Sequence, residues 1–291
     1  MIHGAEAQIR FMAPQQKNHR TPTTGLYDRK GNSMKRIEGS VVITGGGAGI
    51  GREAALGFAE RGAYVVVAGR TLSRLEETVA AIKAVGGRGC AVAADCATEA
   101  GADAVLTVAE HFGPVAVLVN NAGVGYSFEA TRPGSMAALA DASPENWHEV
   151  MRINLDSVYF MCRRALPGMI AAGGGAIVNV SSAGGTQGMV DAHAYATSKA
   201  GMINLTRSLA RTYGPSGIRA NVLAPGFVAT DMVAGVLESE ANPFADEALR
   251  FAVCPLGRPG EPAEMAEAIL FLASNGYANG AVLVVDGGST C

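Results

Sequence analysis

The sequence predicts a single doubly wound α/β domain: a seven-stranded parallel sheet flanked by helices on both faces. Three observations carry this. From residue 39 onward, short apolar runs alternate with helix-length segments. Most of those runs are unbroken Val, Ile and Ala, as strands are when both faces of a parallel sheet are covered. The chain also holds 38 glycines without a collagen-like repeat, which suits many tight strand-to-helix turns. A length of 291 residues fits one large domain, set here at residues 38–291.

The strands are expected at Ser40–Thr44, Tyr64–Ala68, Cys90–Ala94, Ala116–Val119, Ala176–Val180, Ile218–Leu223 and Ala281–Val285. Helices are expected between them at 50–61, 71–85, 99–112, 144–172, 194–213 and 261–273. One start is well signalled: Ser143 can cap, Pro144 fits the first helical position, and Glu145 favours the positive end of the dipole. Strands and helices in strict alternation imply parallel pairing with crossovers on both faces. No repeat or second domain is visible.

Two stretches break the rhythm. Residues 124–143 form a Gly-, Ser- and Ala-rich excursion after the fourth strand. Residues 226–260 follow the sixth strand and carry Phe227, Met232, Val233, Val236, Leu237 and Phe244. Loops of this length in a compact domain tend to be lids or binding segments. The second leaves the carboxyl end of a strand, where open α/β sheets hold their ligands. It is read as an apolar substrate lid.

Charge bounds the partners. A formal charge of −3 argues against nucleic acid as the main partner. Residues 1–37 hold seven Lys or Arg against Glu6 and Asp28, a local charge of +5 that leaves −8 for the rest. This head lacks apolar periodicity and reads as a poorly ordered extension. An organelle transit peptide is a second reading, disfavoured by sparse Leu and Ser. A start at Met34 fits better. The chain carries no secretory apolar core or membrane-spanning run. Its five scattered cysteines (Cys90, Cys96, Cys162, Cys254, Cys291) lack CxxC or metal-ligand spacing. A cytoplasmic protein with neither a metal nor a membrane partner is expected.

Thr44-Gly45-Gly46-Gly47-Ala48-Gly49-Ile50-Gly51 follows the first strand and opens the first helix. Glycines let the backbone approach a pyrophosphate, whose charge then rests on the helix N-terminus. A Gly-rich turn alone is weak evidence; its place inside a repeated βαβ pattern strengthens it. At the end of the second strand, an acidic residue would accept hydrogen bonds from an adenosine ribose and repel a 2′-phosphate. Gly69 stands there instead, followed by Arg70, whose guanidinium suits a phosphate. NADP is therefore preferred, with NAD as the alternative.

Tyr195-Ala196-Thr197-Ser198-Lys199 opens a predicted helix and puts Tyr195 and Lys199 on one face. A nearby ammonium favours the phenolate, so Lys199 is expected to lower the Tyr195 pKa toward neutrality. Ser182 ends the fifth strand and reaches the same rim, where a hydroxyl could hold a substrate oxygen. Ser181 competes for that role. His193 either lines the pocket or caps the helix.

In this order and spacing, residues 39–291 resemble the short-chain dehydrogenase/reductase family in its compact, single-domain, Rossmann-type branch. Thr44, Gly45, Gly49 and Gly51 resemble its glycine motif, and Asp95 its adenine-contacting acid. Asn120-Asn121-Ala122-Gly123 is similar to the signature that steadies the sheet beside the cofactor. Asn154, Ser182, Tyr195 and Lys199 resemble the catalytic set. Pro225-Gly226, with Val228 and Thr230 downstream, resembles the nicotinamide-contacting segment, and Val285-Asp286-Gly287-Gly288 the usual ending.

The resemblance implies a hydride transfer between a nicotinamide dinucleotide and a ketone or secondary alcohol, with no metal. Ser182 would bind the substrate oxygen, Tyr195 would exchange its proton, Lys199 would tune Tyr195 and bind the ribose, and Asn154 would hold a relay water. Gly45, Gly47, Gly49, Ile50 and Gly51 would take the phosphates. It also implies a homotetramer joined through helices 144–172 and 194–213 and the last strand. Residues 1–37 have no counterpart in the family core. The excursion at 124–143 is longer than usual, and its Tyr126, Phe128 and Arg132 could shape the substrate entrance, or it is an insertion of no consequence.

Within this reading a reductase of small cyclic or hydroxy-ketones and a 3-oxoacyl-thioester reductase are both open. A different class is a catalytically idle nucleotide-binding sensor or scaffold. That class would be expected to lose a member of the Ser, Tyr, Lys and Asn set, and all four are present.

Overall fold

A computed structural model of the chain describes residue 37, residues 39–239 and residues 242–291. The predicted extension lies outside the described residues except for Ile37, which packs against the core. The strands are β1 (Ser40–Thr44), β2 (Tyr64–Gly69), β3 (Arg88–Ala93), β4 (Val115–Asn120), β5 (Gly175–Val180), β6 (Ile218–Pro225) and β7 (Val282–Val285). All pair in parallel, in the order β3-β2-β1-β4-β5-β6-β7. The helices are α1 (Gly49–Glu60), α2 (Leu72–Ala84), α3 (Glu99–Glu110), α4 (Pro144–Met151), α5 (Ser157–Ala171), α6 (His193–Tyr213), α7 (Ala234–Leu237), α8 (Glu247–Val253) and α9 (Pro262–Ser274).

The unbroken apolar strands work as two-sided core. Successive side chains point to opposite faces, so Val41, Ile43, Val65 and Val67 pack with Phe58 of α1, Ile82 of α2 and Ile269 of α9. Val42, Val66, Leu118 and Ile177 pack on the other face with Leu106 of α3, Met161 of α5 and Met202 of α6. Each fully buried side chain of this size stabilises the fold by about 1.5–3 kcal/mol. The order of strands reverses between β1 and β4, which opens a crevice at their carboxyl ends.

Three expectations needed correction. β3 starts at Arg88, not Cys90, and ends at Ala93. It is an edge strand, and its exposed first residue hid it from an apolar pattern. The predicted helix 144–172 is two helices, α4 and α5, separated by a π-helical turn at Arg152–Asp156. Hydrophobic periodicity runs through both pieces and cannot register the extra residue of a π turn. The predicted lid is not all loop, because α7 and α8 lie within it.

Buried amides lock the central strands to the helix behind them. The Asn120 side chain donates to Asn179 Oδ1 (2.8 Å), and Asn179 donates to Thr206 Oγ1 (2.8 Å) in α6. All three residues are at most 2% exposed. Buried polar groups of this kind are costly unless paired, so β4, β5 and α6 are held in one register. Among the described residues, no helix is long and apolar enough to cross a membrane.

Candidate active site

The glycine loop is shaped by close approach. Gly45 adopts φ +64°, a left-handed conformation that favours glycine, and its N–H donates to the Ala68 carbonyl (2.8 Å). A Cβ on Gly51 would lie 2.3 Å from the Gly45 carbonyl oxygen, so helix and loop meet only because residue 51 has no side chain. Ile50 packs against the core at the same turn. The N-cap of α1, Ala48, offers no side-chain bond, and the first turn holds no acid. Its N–H groups are left for an anion.

The loop is steadied from β4. Asn121 donates its side-chain amide to the carbonyls of Thr44 and Gly45 (both 3.1 Å), and Thr44 Oγ1 accepts from the N–H groups of Asn121 (3.1 Å) and Ala122 (3.0 Å). Beside it opens a cavity of about 210 Å³ whose lining includes Gly47, Arg70, Asp95, Ala122 and Gly123. Arg70 is exposed at its rim and has no hydrogen-bond partner among the described residues. Arg74, also in the lining, is paired with Asp231 of the lid segment at 2.7 Å. Asp95 accepts from the Ala97 N–H (3.0 Å) and pairs with Arg152 (2.9 Å).

Across the crevice, β6 delivers Pro225 and Gly226. A Cβ on Gly226 would meet Asp286 at 2.7 Å, and the Gly226 N–H donates to the Val285 carbonyl, so the ending sequence packs under this turn. Val228 is buried and bridges to Gly260. Thr230 reaches back to the loop, its methyl 2.9 Å from where a Gly49 Cβ would stand.

β5 and α6 bring the hydroxyls together. Ser181 donates to the Lys199 carbonyl (2.9 Å) and is buried as a structural tie. Ser182 instead accepts from the Gly184 N–H (3.1 Å) and stands beside Tyr195, whose phenol pKa it lowers. The geometry thus separates two serines that the sequence left in competition. Lys199, 4% exposed, donates to the Val180 carbonyl (2.9 Å), and its Nζ is 5.8 Å from the Tyr195 ring centroid. Asn154, presented by the π turn, holds both backbone groups of Val124 (2.7 and 3.1 Å) and donates to Ser198 Oγ (3.3 Å). Its Oδ1 and Lys199 Nζ converge on Gly123, 3.0 and 3.3 Å from the place of a Cβ there.

One electrostatic expectation fails. Burial pushes the Tyr195 phenol above its ordinary value of 10.0, and the neighbouring Ser182 hydroxyl offsets this only in part. Burial also pushes the Lys199 ammonium down, to about 8. Desolvation disfavours both charged forms, so burial opposes the lowering of the Tyr195 pKa that the spacing predicts.

His193 is placed by a bond that neither sequence reading foresaw: its Nδ1 accepts the Leu139 N–H (2.9 Å), tying α6 to the excursion. Sequence reasoning also missed Ser198, which is fully buried and donates to the Tyr195 carbonyl (2.6 Å), and Arg152, which joins Asp95 to Glu149. Ser198 lies inside the Tyr-to-Lys motif, the only signal that could have found it.

A glycine loop and cavity at the strand reversal, with a tyrosine, a serine and a lysine brought together by β5 and α6, are those of an NAD(P)-dependent oxidoreductase acting on CH–OH groups. The chain belongs to the short-chain dehydrogenase/reductase family. Residues 45–290 match the family model described as enoyl-(acyl carrier protein) reductase. The chain is 40% identical over 252 residues to the cis-4-hydroxycyclohexanecarboxylate dehydrogenase of Sinomonas cyclohexanicum, covering 86% of this chain and 95% of that one. It is 35% identical over 256 residues to a 3-oxoacyl-(acyl-carrier-protein) reductase of Pseudomonas aeruginosa, covering 87% and 98%. A crystal structure of a short-chain type dehydrogenase/reductase from Mycobacterium marinum superposes with a TM-score of 0.79 at 30% identity, covering 88% and 97%.

Proposed function

We propose that the protein moves a hydride between NADP and a ketone or secondary alcohol, using Ser182, Tyr195, Lys199 and Asn154 as its catalytic set. The observation that carries this is the convergence of Lys199 Nζ and Asn154 Oδ1 on Gly123, with Lys199 Nζ 5.8 Å from the Tyr195 ring centroid and Ser182 beside that phenol. The bound nicotinamide supplies or accepts the hydride; the proton is the chain's task.

Ser182 offers a hydroxyl to the substrate oxygen and holds it against Tyr195. A phenol pushed up by burial keeps its proton at neutral pH, which is the form that can donate to the oxygen as charge develops on it. Lys199, whose ammonium donates to the Val180 carbonyl at the end of β5, would hold a ribose hydroxyl of the bound dinucleotide. Asn154 keeps one face of its amide toward Ser198 and Lys199, where a relay water fits the family pattern.

The cradle fits the dinucleotide. Gly45, Gly47, Gly49, Ile50 and Gly51 would take the phosphates at the uncapped start of α1. Arg70 would take the 2′-phosphate, Asp95 the adenine, Asn121, Ala122, Gly123 and Lys199 the ribose side, and Pro225, Gly226, Val228 and Thr230 the nicotinamide. The NADP preference is supported by Arg70, a guanidinium with no partner among the described residues at the cavity rim. Arg74 is already paired with Asp231.

Both substrate readings have a relative behind them: a cis-4-hydroxycyclohexanecarboxylate dehydrogenase and a 3-oxoacyl-(acyl-carrier-protein) reductase. The apolar lid favours an apolar body. The test is a panel of cyclic ketones, acyclic ketones and a 3-oxoacyl thioester, each run with NADPH and with NADH. Turnover of ketones with NADPH is expected. Tight dinucleotide binding with no turnover on any substrate would instead indicate a sensor.

A further inference from the structure

Two segments far apart in sequence meet beside Tyr195. One is the excursion at 124–143, the other the lid at 226–260. They are joined: the Ser127 N–H donates to the Met232 carbonyl at 3.0 Å. The rings of Tyr126 and Phe227 lie nearly parallel, 13° apart with centroids at 6.4 Å, and Phe227 meets Phe244 edge-on at 5.9 Å. Gly125 threads between them, since a Cβ there would stand 2.8 Å from Met232 Sδ and 3.5 Å from the Tyr195 ring.

The excursion is also fastened at its far end. Glu129 accepts from the N–H groups of Gly134 and Met136 and from the Ser135 hydroxyl. The Ala192 N–H donates to the Met136 carbonyl (2.9 Å), with Ala192 at φ +52°, the one non-glycine residue of positive φ among the described residues. A left-handed alanine costs on the order of 1 kcal/mol, so the contact that sets the entry to the Tyr195 helix is held against strain. An inconsequential insertion would need no such fastening.

We propose that Tyr126 is a specificity-determining residue: with Phe227, Met232 and Phe244 it forms an apolar clamp that selects a ketone or alcohol borne on a compact, uncharged carbocyclic ring. This rests on the hydride-transfer reading above and adds the substrate class. Rigid aromatic walls lose little entropy on binding and reward apolar area. The excursion supplies no cation to the cleft, because Arg132 is turned toward α4, donating to Asn146 Oδ1 (2.7 Å) and the Glu145 carbonyl (3.2 Å). The negative charge of Asp191 acts on the Tyr126 phenol and, after burial, helps to raise its pKa. An anionic thioester arm at the same mouth would meet the same repulsion.

The test compares kcat/KM for cyclohexanone, 2-butanone and acetoacetyl-coenzyme A in the parent, Tyr126→Ala and Tyr126→Phe, with melting temperature and NADPH binding as folding controls. The parent is expected to prefer cyclohexanone. In Tyr126→Ala the cyclohexanone-to-butanone ratio should fall about tenfold or more, mostly through KM, and Tyr126→Phe should restore it. If the alanine variant does not fold, Tyr126→Leu reads the same ratio. An unchanged ratio in the truncated variant, or a parent that prefers the thioester or shows no ring preference, overturns the clamp while leaving hydride transfer standing. A parent that binds NADPH and reduces neither ketone overturns both.

Discussion

Lys199 Nζ lies 2.9 Å from the carbonyl oxygen of Val180, so the buried ammonium is satisfied by the end of β5 and not by the phenol of Tyr195, whose ring centroid is 5.8 Å away. The ion is therefore held at a cost, which has a measurable consequence.

Lys199 releases its proton at about 8 in the folded chain, against an ordinary value of 10.5. Between those values the unfolded chain binds more protons, so stability rises with pH across that window. At pH 7 Lys199→Met should be more stable than the parent by about 3 kcal/mol, and the gap should close as pH rises toward the unfolded value. Urea melts at about pH 7 and about pH 10 check this; a gap that does not change with pH contradicts it.

Tyr195→Phe keeps the ring and removes only the hydroxyl beside Ser182. Turnover should drop by at least about a hundredfold, while NADPH binding and melting temperature stay near the parent's. Retained turnover would mean that another group carries the proton.

Arg70→Ala should raise KM for NADPH by about tenfold or more, the scale of a lost charge-assisted contact, and leave KM for NADH unchanged. Steady-state kinetics with both cofactors separates this from a general loss of binding. Equal effects on the two would remove the 2′-phosphate role.

Gly51→Ala sets a Cβ 2.3 Å from the Gly45 carbonyl oxygen and 2.5 Å from Asn121 Nδ2. Neither backbone nor tied amide can yield freely, so a destabilisation of about 1–3 kcal/mol is expected, with weaker dinucleotide binding. Calorimetry and a binding titration would detect both.

Light scattering should give a tetramer. Tyr159 and Ile170 on α5, Phe271 on α9 and Val284 on β7 are 37–51% exposed, apolar surface on two of the elements expected at subunit contacts and on the helix beside them. A monomer at working concentration would contradict this.

Much of the fold was legible because its signals are local. A two-sided strand is mostly apolar, so β2 and β4 show as nearly unbroken runs; the edge strand β3, with Arg88 exposed at its start, does not. The glycine loop was legible because only glycine tolerates its turns. Helical spacing alone put Tyr195 and Lys199 on one face.

The rest depended on which groups meet across the fold. Ser181 and Ser182 are adjacent in sequence and differ only in the face each presents, which β5 and α6 assign: one to the Lys199 carbonyl, the other to Tyr195. The π turn that presents Asn154 has no periodic trace. The bond from Ser127 to Met232 links residues more than a hundred positions apart. The direction of the Tyr195 shift could not be read either, because a one-turn spacing names the ammonium but not the burial that outweighs it. The strands, the glycine turn and the inventory of reactive groups are written along the chain, since each rests on residues that are neighbours in sequence. Which hydroxyl stands beside Tyr195, which segment packs opposite it and how much water each charge keeps come from the packed fold, because those are set by distances through space.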